Sequence, residues 1–279
     1  MNLHTIDTGF FKLDGGAMFG VVPKTIWNNT NPADENNLCT WAMRCLLIED
    51  EGRLILVDTG LGNKQEQKFL SHYYLHGNTS LESSLTAIGF HKDDITDVFL
   101  THLHFDHVGG AIERKDDKLL PAFKNATYWS NRQHWDWAIN PNEREKASFL
   151  KENILPIQES GQLKFVPVED GVKFTGNINI RFVYGHTDAM MLPLINYREK
   201  QILYMADLLP SVGHIPLPYV MAYDMFPIKT LTEKKVFLNE AVKKEYALFF
   251  EHDPINECCS LQQTEKGVRL KETFKLGDI

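Results

Sequence analysis

Cysteine is scarce in this chain, with four in 279 residues. Cys39, Cys45, Cys258 and Cys259 show no CxxC spacing, and the adjacent pair is awkward for a disulfide framework, so they read as free thiols in a reducing compartment. An excess of positive charge is also missing. With 29 Lys and Arg against 37 Asp and Glu, the net charge is -8. That argues against general binding to nucleic acid or an anionic membrane, either of which needs a basic face. No stretch approaches the roughly 18 apolar residues of a membrane span, and Met1-Asn2-Leu3-His4-Thr5-Ile6-Asp7 lacks a basic segment leading into an apolar run. These absences predict a cytoplasmic protein. No repeat, low-complexity tract or separating linker interrupts residues 1–279, so one domain is expected, and 43% hydrophobic residues can build its core.

What the chain has is a concentration of histidine. Asp97-Val98-Phe99-Leu100 reads as a short buried strand, Thr101-His102-Leu103-His104-Phe105-Asp106-His107 follows, and Val108-Gly109-Gly110-Ala111-Ile112 lets the backbone turn into a helix. In an extended segment His102, His104 and Asp106 share a face while His107 points elsewhere. One loop can therefore serve two metals. A polar surface loop is the simpler account, but three of the chain's 11 histidines and an acid crowd into it.

The same event recurs along the chain. Asn179–Tyr184 reads as a strand ending in Gly185-His186-Thr187-Asp188, Gln201–Ala206 as one ending in Asp207, and Tyr246–Phe250 as one ending in Glu251-His252-Asp253. Taken singly each polar residue suits a turn; together they converge, because strand ends on one sheet edge are where α/β sites are built. His102, His104, Asp106, His107, His186, Asp207 and His252 make seven ligands, enough for two ions sharing a carboxylate. Strands are also expected at Trp41–Ile48 and Leu54–Val57, the second opening into Asp58-Thr59-Gly60. Asp58 either caps that turn or orients a metal-bound histidine.

The remaining segments are read more locally. Residues 3–22 should hold short strands joined at Gly15-Gly16 and Gly20, and 113–125 a surface connection. Helices are expected from the capping box Thr79-Ser80-Leu81-Glu82 to Gly89, over 132–139 and 141–154, from Thr230-Leu231-Thr232-Glu233 onward, and over 261–274. Trp129, Trp135, Trp137 and Phe149 read as core, subunit contact or pocket lining. The proline-rich run 208–227, with His214, Tyr219 and Tyr223, reads as a pocket wall or a subunit contact.

With these residues assembled, the sequence resembles the metallo-β-lactamase-fold hydrolases. The resemblance rests on His-x-His-x-Asp-His at 102–107, Gly-His-Thr at 185–187, Asp207 after a strand, the late His252, and Asp58-Thr59-Gly60. Thr101–Gly110, the Ala206-Asp207-Leu208-Leu209-Pro210 segment and the loop from Ile215 to Asp224 look like the branch holding N-acyl-homoserine lactonases and methyl parathion hydrolase-like enzymes. The resemblance implies an α/β (α+β) four-layer αββα sandwich. It also implies one metal on His102, His104 and His186, another on Asp106, His107 and His252, and Asp207 bridging. Two departures stand out: Asp188-Ala189-Met190 where the family often has Pro-Gly-His, and Pro210 where quorum-signal lactonases often have tyrosine.

The expected chemistry is hydrolysis of a lactone or other carboxylic ester. Two divalent cations, zinc or alternatively manganese, iron or cobalt, would lower the pKa of a shared water, and Asp106 or Asp207 would pass a proton to the leaving oxygen. Phe19, Phe105, His214, Tyr219 and Tyr223 are the candidate pocket residues for a small-molecule substrate. A phosphotriester or phosphoester hydrolase is the alternative, with a redox or non-catalytic member of the fold behind it. A homodimer is left open.

Overall fold

Alternation of buried side chains with a period of two builds both sheets. The computed structural model describes residues 1–279. Strands β1 (Asn2–Asp14), β2 (Leu38–Asp50), β3 (Arg53–Val57) and β4 (Asp97–Phe99) come first. The small separate hairpin β5 (Ile112–Lys115) and β6 (Lys118–Pro121) follows, then β7 (Thr127–Asn131) and β8 (Leu163–Val166). The first sheet runs β1-β2-β3-β4-β7-β8, antiparallel up to β3 and parallel from there. The second contains β9 (Val172–Lys173), β10 (Ile178–Val183), β11 (Met190–Tyr197), β12 (Lys200–Tyr204), β13 (Ala247–Phe249), β14 (Cys258–Thr264) and β15 (Gly267–Phe274), hydrogen-bonded in reverse order from β15 to β9.

Within β2, β3 and β4, Leu46, Ile48, Ile55, Val57 and Phe99 join a core cluster with Ile180, Leu192 and Ile202 of the second sheet. Their alternates Cys45, Leu47, Leu54, Leu56 and Val98 pack instead with Leu85, Trp135, Ala138, Ile154 and Ile157 from the covering helices Leu81–Ala87, Arg132–Ile139 and Lys151–Glu159. On the far side, Phe237, Leu238 and Ala241 of the helix Pro227–Lys244 extend the core of the second sheet. The result is the expected αββα sandwich. Each such large apolar side chain contributes roughly 1.5–3 kcal/mol on burial.

Strands β4, β10, β12 and β13 all run toward one edge of the sandwich. Each releases a functional side chain three residues past its last ladder residue: His102 after Phe99, His186 after Val183, Asp207 after Tyr204 and His252 after Phe249.

Several local expectations are corrected. Residues 3–22 hold one long strand, and Gly15-Gly16 opens a short helix, Gly15–Phe19, capped by the Asp14 carboxylate. Gly15 is required there because a Cβ would collide with the Trp27 ring. The capping box sits one residue later than expected, between Ser80 and Ser83. The connection 113–125 contains the β5–β6 hairpin. Residues 141–150 are turns rather than helix: the Asn142 side chain accepts from the amides of Arg144 and Glu145, closing the chain on itself, and the helix begins only at Lys151. The helix expected from Thr230 starts earlier, with Pro227 in its first turn. Finally, 261–274 is not helical but lies mostly in the β14–β15 hairpin, which turns at Thr264–Gly267 with Gly267 at φ +91°.

Candidate metal centre

The loop after β4 is fixed by buried polar contacts before any ligand is considered. Asp58, at a positive φ of 57°, accepts from the Thr101 amide (2.8 Å) and hydroxyl (2.6 Å), tying the end of β3 to the start of the histidine loop. His134 accepts from the Leu103 amide at 2.9 Å and contacts the Asp188 carbonyl at 2.6 Å. Gly109 and Gly110 let the following turn press against the carbonyls of Leu61 and Thr59, where any Cβ would collide. Backbone held in a sparsely populated region survives only where its surroundings over-determine it, and Asp58 and Ala206 (φ 40°) flank this site.

All seven expected side chains come together. The potential ligand atoms of His102, His104, His186 and Asp207 lie within 4.8 Å of one another, as do those of Asp106, His107 and His252. The Asp207 carboxylate spans the two groups, with Oδ2 3.1 Å from His186 Nε2 and Oδ1 3.0 Å from His252 Nε2.

The tautomers test whether metal fits. His104 Nε2 lies 2.9 Å from the Glu145 carboxylate, and His186 Nδ1 lies 2.9 Å from that of Asp224. With each ring neutral, these acceptors take the proton on that nitrogen, which leaves His104 Nδ1 and His186 Nε2 as lone pairs 3.2 Å apart. His252 Nδ1 likewise donates to the Ala42 carbonyl at 2.8 Å, and His107 Nδ1 faces Asp58 at 3.1 Å and Glu251 at 3.0 Å. Their Nε2 atoms are then bare and 3.2 Å apart. Lone pairs facing each other repel unless a cation lies between them. Nitrogens about 2.0–2.1 Å from one tetrahedral zinc sit roughly 3.3 Å apart, close to these spacings. Asp207 Oδ1, 3.0 Å from His252 Nε2, has no hydrogen-bond donor while that ring is neutral. The donor set fits two divalent cations.

Charge follows the same logic. Burial pulls His186 toward neutrality, but Asp207 and Asp224 outweigh it and carry its pKa up to about 10. Burial also opposes the charge on His252, where Asp207 prevails and lifts it to about 9. Burial, reinforced by neighbouring histidines, pushes His102 well down. Glu145 is held at about 2 despite its burial by its bond to His104. Protons on His186 and His252 thus stand where cationic charge is wanted.

Three supporting carboxylates, Glu145, Asp224 and Glu251, were not picked out from sequence. Glu251 adjoins His252 and was visible as the polar end of β13. Glu145 lay inside an expected helix and Asp224 inside a loop, with no local signal to mark either. Glu233, expected to cap its own helix, accepts instead from the amides of Tyr184 (2.8 Å) and Gly185 (3.0 Å) just before His186.

A cavity of about 400 Å³ opens onto Asp106, Asp207, His104, His186 and His252, walled by Leu13, Met18, Tyr73, Phe105, Met221, Tyr223 and Met225. Phe105 and Tyr223 take the expected positions. Phe19, His214 and Tyr219 are not among the lining residues: Phe19 stacks on His214 (4.4 Å) and Trp27 (5.3 Å), with Tyr219 edge-on (6.2 Å), forming a support behind Met18. Burial drives His214 down to about 3, and it contacts the Met18 carbonyl at 2.9 Å. Tyr73 was missed because it comes from a loop with no motif. Another cavity, about 410 Å³ beside Thr8 and His76, touches none of the converging ligands, so the chemistry is assigned to the first.

The sequence profile described as the metallo-beta-lactamase superfamily matches residues 44–252, spanning the whole ligand set. The chain belongs to that superfamily. An N-acyl homoserine lactonase from Bacillus cereus is 26% identical over 233 residues, 80% of this chain and 84% of the relative. A solved structure of a probable metal-dependent hydrolase from Staphylococcus aureus superposes with a TM-score of 0.87 at 26% identity, covering 98% of each chain. AidC, a dizinc quorum-quenching lactonase solved with a product, superposes at 0.80 with 24% identity over 98% of this chain and 95% of its own, a likeness of fold. No helix here is long and apolar enough to cross a membrane, and all four cysteines are free and buried.

Proposed function

We propose that the chain is a dinuclear-metal hydrolase that cleaves a lactone or carboxylic ester in the manner of N-acyl-homoserine lactonases. The observation that carries this reading is the pair of converging donor groups joined by Asp207 at the floor of a cavity with largely apolar walls. The lactonase relative supports the substrate class. His102, His104 and His186 would hold one ion, Asp106, His107 and His252 the other, with Asp207 shared. When bound, the two ions supply an activated water near neutral pH and a Lewis acid for the ester carbonyl; zinc suits the donor set, as do manganese, iron and cobalt.

The chain's own residues do the rest. Asp58, Glu145, Asp224, Glu251 and the Ala42 carbonyl hold the imidazole rings in one tautomer and orientation. Asp106 and Asp207 both line the cavity and stand where a carboxylate passes a proton to the leaving alkoxide. Phe105, Met18, Met221 and Met225 offer an apolar surface to an acyl chain, while Met side chains adapt to its shape. The free thiols support a cytoplasmic setting.

The test is acid release from acyl-homoserine lactones, simple lactones and aryl esters, beside a chromogenic phosphotriester, with enzyme loaded separately with zinc and manganese. Chelator-sensitive lactone turnover is expected. Phosphotriester turnover with inert lactones would replace the reading with phosphoester hydrolysis.

A further inference from the structure

The helix Pro227–Lys244 grips the site with two neighbouring residues directed at different loops. Glu233 accepts the amides of Tyr184 and Gly185, one on each carboxylate oxygen, immediately before His186. One turn earlier, Thr230 packs so close to Gly185 that a Cβ there would collide with its backbone nitrogen. Lys234 is 1% exposed, and its ammonium donates to the carbonyls of Pro216 (2.9 Å), Tyr219 (2.8 Å) and, more weakly, Leu217 (3.4 Å). In the ammonium form three N–H groups meet these three carbonyls, while burial disfavours the charge and pulls the pKa down to about 7. The carbonyls belong to the near arm of the proline-rich loop, which runs on to Met221 and Tyr223 in the cavity wall. The far arm is fixed independently, the amides of Met225 and Phe226 donating to the carbonyls of His186 and Gly185.

We propose that Glu233 and Lys234 are positioning residues with separable effects: Glu233 sets the ligand His186, and Lys234 sets the cavity wall that selects the substrate. The second half rests on the proposed lactone or ester hydrolysis; the first requires only that the site binds metal. Removing one Glu233 acceptor releases an amide beside His186 and leaves the Lys234 contacts intact. Removing the Lys234 ammonium leaves buried carbonyls unpaired, so residues 216–221 must loosen to reach water.

The full-length protein is compared as wild type, Glu233→Gln, Lys234→Met and Lys234→Arg. For Glu233→Gln, chelator competition should show metal binding about 10–100-fold weaker at one of two sites, the cobalt-loaded visible spectrum should change, and amide exchange at Tyr219, Val220 and Met221 should stay as in wild type. Lys234→Met should retain both metals, speed amide exchange at Tyr219, Val220 and Met221, whose amides are hydrogen-bonded, at least about tenfold as the loop loosens, and raise KM more than it lowers kcat. Lys234→Arg should restore part of the exchange protection. Should Lys234→Met fail to fold, Lys234→Gln carries the same comparison. Loss of metal and loosening of the loop together in both variants, in proportion to a lowered Tm, would overturn the proposal. If the wild type cleaves no lactone or ester, the proposed function fails, while metal affinity and amide exchange still judge the clamp.

Discussion

The floor and the wall of the cavity are built in opposite ways. The floor comes from the ends of β4, β10, β12 and β13, at one offset from each ladder, with its side chains buried and the outer nitrogen of each liganding ring in polar contact. The wall comes from Leu13 and Met18, Tyr73, the turns at 144–148 and the proline-rich loop, held from outside the cavity by Lys234 on the carbonyls of Pro216, Leu217 and Tyr219 and by Arg144 on that of Ala222. On the proposed reading, the floor would carry the chemistry and the wall the selectivity.

The hardest way to break that division is at the bridging carboxylate. Asp207→Ala should remove the shared anion, lower metal content and cost on the order of 1,000-fold or more in kcat/KM, the equivalent of several kcal/mol of lost metal catalysis. Elemental analysis beside kinetics checks it; a fully metallated, fully active variant would sink the assignment. Next is Glu145→Gln, which disturbs the ring of His104 without touching the cations and should weaken metal affinity about 10–100-fold. An unchanged affinity would mean the floor does not depend on its outer carboxylates.

Proton linkage tests the floor without mutation. Metal-free His186 and His252, with pKa values near 10 and 9, are protonated at neutral pH and must lose those protons to offer lone pairs. Metal affinity should therefore rise with pH, by up to about tenfold per unit for each proton displaced, until the pH passes those values. Proton release on titration with zinc in weak buffer measures the number directly, and a pH-independent affinity between about 6 and 8 would contradict the linkage.

The smallest effects belong to the wall. Met221→Ala should shift acyl-chain preference by about 10-fold while kcat on short esters stays near wild type. Phe19→Ala, behind the wall, should instead destabilise the fold by about 3–5 kcal/mol. Thermal melts beside a chain-length series separate the two, and equal selectivity changes would erase the distinction between lining and support.

This division also explains what could be read from sequence. Few residue types bind metal, and the strand-then-ligand pattern repeats, so the seven floor residues stand out in the sequence, while the αββα sandwich follows from the family resemblance that those residues carry. Glu145 and Asp224 reach their histidines from 41 and 38 positions away, and nothing beside them in the chain announces it. Residues 261–274 of the β14–β15 hairpin read as a helix because much of the segment is solvent-exposed, so too few apolar positions distinguish one period from another. Phe19 and His214 look like pocket residues in a list and prove to be stacked on each other.

The register Tyr204 to Phe249 between β12 and β13 has a consequence for how this protein could be re-engineered. Adjacent strands stand about 4.8 Å apart whatever connects them, so the separation of Asp207 and His252 is inherited from the ladder and is indifferent to the crossover between them. That crossover contains the proline-rich loop. A graft replacing residues 216–223 would keep His214 stacked on Phe19 and Asp224 facing His186, would need to bring carbonyls for Lys234 and Arg144, and could then carry a new selectivity onto an unaltered reaction centre.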